Sequence, residues 1–194
     1  MNDQYFNAVS DAVSNLHYNW KVFRNVYAKS EGNIVLLNRF DNQFFGVVQN
    51  LYWDSILLNI SRLTDNEGRG SNRNLTLKTI FNDIENELDA KTLNELSNKL
   101  VDISALSKNI RFHRSKRIAH TDMKSVFNDS KFISKGISRN DVNQILKTIR
   151  EFMNIICGYF KDTDCLYDHI QGPLGGEILM LNLELCNNKN GNIR

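Results

Sequence analysis

"FNAVSDAVSNLHYNWKVFRNVY", residues 6–27, decides the fold class. Phe6, Val9, Val13, Leu16, Trp20, Phe23 and Tyr27 recur at steps of three and four, which on an α-helix aligns them in one apolar stripe. The pattern predicts an amphipathic helix over residues 3–28. Such a helix holds its shape in water only when that stripe packs against others, so the rest of the chain must supply them.

It does so repeatedly. "KSEGN" breaks the first helix, with Gly32 expected as a left-handed cap. Residues 34–65 then keep helical spacing through Phe40, Phe44, Val47, Val48, Leu51, Trp53, Ile56, Leu57, Ile60 and Leu63. They predict one unbroken helix of about 30 residues, roughly 45 Å long. "NEGRGSNRN", residues 66–74, is a loop by its Gly, Asn and charge. A short helix is expected from Leu75 to about Glu87. Another starts near Ala90, with Leu93, Leu96, Leu100, Ile103, Leu106 and Ile110 on one face. Residues 124–137 read as irregular. "SRND", residues 138–141, is a capping box that opens a helix to about Lys161, whose stripe is Val142, Ile145, Leu146, Ile149, Met153, Ile156 and Phe160. "GPLGG", residues 172–176, is a break. "EILMLNLELC" reads as a short terminal helix, although strict alternation would also suit a strand. The expected architecture is all-α, an up-and-down bundle of about five to six helices forming one domain over residues 1–185, with a frayed tail at 186–194.

Composition agrees. Of 194 residues, 41% are hydrophobic and 24% charged, an ordinary globular balance, and a single proline leaves helices uninterrupted. Three cysteines without a CxxC give neither a disulfide framework nor a zinc knuckle, so reduced thiols in a cytoplasmic protein are expected. The N-terminus lacks the basic-then-apolar order of a secretory signal, and no run approaches the about 18 apolar residues of a membrane span.

Net charge is only +2, so its distribution matters more than its sum. "RFHRSKRIAHTD", residues 111–122, holds three arginines, one lysine and two histidines. Basic residues at a helix C-terminus complement its dipole, which is the plain structural reading of this stretch. Phe112, Ile118 and Ala119 are interleaved, however, so the segment is partly packed. Arginine beside histidine is also the smallest set of groups that cleaves RNA without a metal. The guanidinium stabilises charge building on phosphate oxygens, and an imidazole titrating near neutrality moves the proton of a 2′-hydroxyl or of the leaving oxygen.

"RSKRIAH", Arg114 to His120, resembles the Arg-x4–6-His motif of HEPN domains, the higher eukaryote and prokaryote nucleotide-binding superfamily. With "WDSILLNISRLTD" at residues 53–65 upstream, the chain is similar to the abortive-infection AbiU-type branch over residues 1 to about 185. The resemblance implies an all-α fold, frequent homodimers and metal-independent endoribonuclease activity leaving 2′,3′-cyclic phosphate ends. It makes Arg114 and His120 the catalytic pair, with Ser115 and Asp122 supporting and Arg111, Lys116 and Arg117 binding RNA. Ser115 departs from the Asn, Asp or His that the family most often has there. The alternative that this departure keeps open is a non-catalytic dimeric adaptor or nucleic-acid-binding module in a defence complex. No cofactor and no metal are expected; RNA and a second copy are the expected partners, and an antitoxin or modifying partner is left open.

Two further readings concern geometry. Six residues turn an ideal helix by about 600°, so Arg114 and His120 would point about 120° apart. Either the helix is distorted there or two copies share a composite site across a two-fold axis, and the composite site is the expectation. Arg62 and Asp65, three apart, are expected to form an intrahelical ion pair. The carboxylates Asp83, Glu85, Glu87 and Asp89 alternate along a helix and are read as a solvated face rather than a metal site.

Overall fold

The computed structural model describes residues 1–68, 73–115, 136–169 and 175–191. Among these, six α-helices and no strand occur: α1 (Asp3–Tyr27), α2 (Glu31–Thr64), α3 (Leu77–Ile84), α4 (Ala90–His113), α5 (Arg139–Lys161) and α6 (Gly175–Gly191), with one 3-10 turn at Glu85–Glu87. The fold is all-α.

Each helix starts where a side chain satisfies its free backbone donors. Asn2 accepts from the Gln4 and Tyr5 amides before α1, and Thr76 and Thr79 form a reciprocal box at α3. Asp89 accepts from the Thr92 amide at 2.8 Å before α4. Ser138 and Asp141 form the predicted box at α5.

All seven predicted stripe residues of α1 are buried, from Phe6 to Tyr27. On α5 six of the seven predicted residues are buried and Phe160 is half-buried; Phe152 and Cys157 join them at the centre. On α4 only Leu96, Ile103 and Ile110 of the predicted stripe are fully buried, one every seven residues, on a helix that packs against both α5 and α2. Lys99 and Glu151 tie the same two helices together at 2.6 Å. Gly176 seats α6 on α1: a Cβ there would lie 2.8 Å from Val26 Cγ2, so only glycine allows this approach.

Two expectations need correction. Gly32 is not a left-handed cap; α2 already begins at Glu31, because Ser30 caps it by accepting from the Asn33 amide at 3.2 Å. The second helix is not unbroken. Asp41 has extended backbone (φ −166°, ψ 98°), and its carboxylate accepts from the Phe44 amide at 2.9 Å, so it caps a fresh start inside α2. The segment expected as a tail from residue 186 is helical as far as Gly191, where α6 ends. The irregular stretch expected at 124–137 falls outside the described residues except at its last two positions.

The alternating carboxylates hold neighbouring backbone. Asp83 accepts from the Asn2 amide at 2.7 Å and Glu87 pairs with the Met1 ammonium at 2.7 Å, while Asp89 is the α4 cap. Cys157, Cys165 and Cys186 are free thiols, and burial pushes the Cys157 thiol up to about 12. Among the described residues no helix is long and apolar enough to cross a membrane.

His17 lies on the buried side of α1. Burial, with the Arg150 guanidinium second, lowers its pKa to about 4 from 6.5. The unfolded chain therefore takes up a proton between those values that the folded chain refuses. Stability is lost as pH falls from about 6.5 towards 4, by about 3 kcal/mol at most. Denaturant titrations at pH 7 and pH 4.5 should show a larger loss for the native chain than for His17→Gln; equal losses would contradict this.

Candidate functional site

The C-terminal ends of α2 and α4 meet, and the start of the basic stretch lies at their junction. Helix α4 ends regularly at His113, and the chain then widens into a π turn at Arg114 and Ser115. Single π turns recur at functional sites. The angle between Arg114 and His120, the premise of the composite site, involves residues outside those described.

Two arginines cross from this end of α4 to the end of α2. Arg114 Nη1 donates to Asp65 Oδ2 at 2.6 Å, both side chains about one-quarter to one-third exposed. Arg111 Nη1 donates to the Thr64 carbonyl at 3.0 Å and to Ser107 Oγ, and its Nη2 donates to the Ser104 carbonyl at 3.2 Å. Thr64 is the last residue of α2 and Asp65 its C-cap, so Arg111 satisfies a terminal carbonyl of α2. Both guanidiniums thus pin the start of the motif to the preceding long helix.

Asp65 therefore pairs across the fold with Arg114 and not along its own helix with Arg62. An intrahelical pair three residues apart contributes a few tenths of a kcal/mol at most. A short, charge-assisted bond in a half-buried junction is stronger. Sequence spacing gives no sign of a contact spanning 49 residues. Its only written trace is an acid placed at a helix end, where a cation arriving from another element finds both a carboxylate and free carbonyls.

Beside this junction is a cleft of about 230 Å³, lined by Thr64, Asp65, Lys78, Val101 and Ser104 among others. Lys78 is the one cationic side chain among its described lining residues. Ser115 is half-buried in the π turn. Lys116, Arg117, His120 and Asp122 lie outside the described residues, so the junction accounts for Arg111, Arg114 and Ser115 of the predicted set. Among the described residues no three His, Cys, Asp or Glu side chains come together as a metal site would require.

Comparison with known proteins bears on the family. No curated protein and no solved structure matches the chain. The family model described as AbiU2, a HEPN family, matches residues 3–171, which takes in α1 to α5 and the whole basic stretch. The chain belongs to the AbiU2 family of HEPN domains, an abortive-infection family.

Proposed function

We propose that this chain is a metal-independent endoribonuclease of the abortive-infection type. The observation that carries the reading is the placement of Arg114. It is the first residue of the family motif, it lies in a π turn, and Asp65 holds it by one nitrogen. A guanidinium offers five N–H donors, so one bond to Asp65 orients the fork and leaves the other N–H groups for a phosphate.

In this reading the 2′-hydroxyl oxygen of the substrate attacks the adjacent phosphorus and the bond to the 5′-oxygen breaks. His120 handles one of the two protons, taking that of the 2′-hydroxyl as base or supplying that of the 5′-oxygen as acid, and water exchanges the other. Arg114 neutralises the charge that develops on the non-bridging oxygens. Arg111, Lys116 and Arg117 add a positive field that draws in the RNA backbone. Ser115 and Asp122 support the pair, and Asp65 is a positioning residue acting through Arg114.

The mechanism dictates the products. RNA incubated with the protein in EDTA should yield fragments ending in 2′,3′-cyclic phosphate, with 5′-hydroxyl on the other side of each cut. Fragments with 3′-hydroxyl and 5′-phosphate ends would contradict it. Binding of RNA with no turnover would select the non-catalytic module instead.

A further inference from the structure

Helix α5 ends in a turn that folds the chain back on the helix. Lys161 is its last residue, and Asp162 takes left-handed backbone (φ 48°, ψ 42°) where the chain leaves it. The returning segment is held at three places. The Cys165 amide donates to Asn154 Oδ1 at 3.1 Å, the Tyr167 hydroxyl lies 3.0 Å from Ser10 Oγ of α1, and Asp168 pairs with Arg150. Asn154 and Cys157 are three apart on α5 and share the face that receives the segment.

These contacts bring together two thiols eight residues apart, with Cys157 Sγ and Cys165 Sγ 2.9 Å from each other. A disulfide needs about 2.05 Å, so the sulfurs are within about one ångström of bonding. The two differ in access. Cys157 has no exposed surface, whereas Cys165 is half-buried between exposed Asp164 and exposed Leu166.

We propose that Cys157 and Cys165 form an oxidative modification site, a dithiol that low-molecular-weight disulfides close to an intramolecular disulfide and that free thiols reopen. Cys165 reacts first because it is the one that solvent reaches. Its sulfur gives up a proton and attacks one sulfur of the small disulfide; the bond between the two small-molecule sulfurs breaks, and one leaves as a thiol with that proton. The Cys157 sulfur then attacks the Cys165 sulfur of the mixed disulfide, and the second small thiol departs with the Cys157 proton. Two protein thiols are oxidised and one small disulfide is reduced to two thiols, so no other reactant is consumed.

Two plainer roles account for less. A buried cysteine behaves as a small apolar side chain, which explains Cys157 but not a second thiol held against it by a backbone bond to Asn154. A structural zinc site takes four ligands, and among the described residues no three His, Cys, Asp or Glu side chains come together. The site is compatible with thiols that are reduced in the resting chain, and it does not depend on the nuclease reading. Cys186, exposed on α6, takes no part in it.

The full chain carrying Cys186→Ser, incubated in its folded state with excess glutathione disulfide, tests the proposal. After an acid quench, unfolding and alkylation, its intact mass should show both thiols lost, two hydrogens fewer than the reduced chain and no glutathione attached. Dithiothreitol should restore both thiols. Adding Cys157→Ala should arrest the reaction at the mixed disulfide on Cys165. Adding Cys165→Ser instead should slow the loss of thiol about 100-fold or more, since Cys157 has no exposed surface. Thiols that both remain open to alkylation after the incubation, a mixed disulfide that persists in the Cys186→Ser chain, or a Cys165→Ser chain that reacts as fast would each overturn the proposal.

Discussion

Arg114→Ala is expected to lower the rate of RNA cleavage by about two to three orders of magnitude while leaving the fold intact. The first half follows from what a fixed cation does at a phosphate. A donor already aimed where charge develops contributes about 3–4 kcal/mol to the transition state, because nothing needs to reorient when the reaction occurs. The second half follows from exposure. Arg114 and Asp65 are 26% and 31% exposed as side chains, so losing the guanidinium leaves a carboxylate that water still reaches. The stability loss should be about 1 kcal/mol, or roughly 3 °C in melting temperature for a chain of this size. Arg114→Lys separates charge from geometry. Lysine keeps the charge but cannot hold Asp65 with one nitrogen of a planar fork and a phosphate with the others, so it should recover little of the rate. Comparing initial rates with thermal melts of the three proteins checks both halves. A variant that loses activity in proportion to its stability would make Arg114 a structural residue.

Phe152→Ala should be the most destabilising single substitution of the two considered. Phe152 lies at the middle of α5 and, with Ile149, Met153, Ile156 and Cys157, has no exposed surface. Truncation removes the transfer energy of an aromatic ring and leaves a cavity whose walls are held on several helices and relax little. The cost should be about 3–5 kcal/mol, a melting temperature lower by about 10 °C or more. Phe152→Leu, which fills most of the volume, should cost less than half of that. Denaturant titration of the three proteins measures both, and a Phe152→Ala loss below about 1 kcal/mol would mean that α5 is not the centre of the core.

The residues that were legible in the sequence share one property: their helix has a single apolar face. Helices α1 and α5 bury nearly all of their predicted stripes because only one orientation satisfies them. Helices α2 and α6 were less legible for the converse reason. Each carries apolar residues on roughly opposite sides, so periodicity announces a helix for α2 and is ambiguous for α6, and in neither case does it say which side meets the core. The stripe from Phe40 to Leu51 matched helical spacing as well as the buried one did, yet it faces outward. The break inside α2 was written as a cap signal, an aspartate three residues before the amide it accepts from, but no glycine or proline marked it. At the candidate site, local composition identified the basic stretch but not the place where α4 stops being straight. It did not identify Asp65 as the partner of Arg114, because that contact depends on how two helices dock rather than on any repeat within one of them.

The central functional claim is that a guanidinium held by Asp65 and the imidazole of His120 act on one phosphodiester without a metal. It is tested most directly by incubating RNA in EDTA with the native protein and with His120→Ala at equal concentration. The account predicts cleavage by the native protein and loss of at least about 100-fold in the variant, with RNA affinity retained. Equal cleavage by both proteins would contradict it.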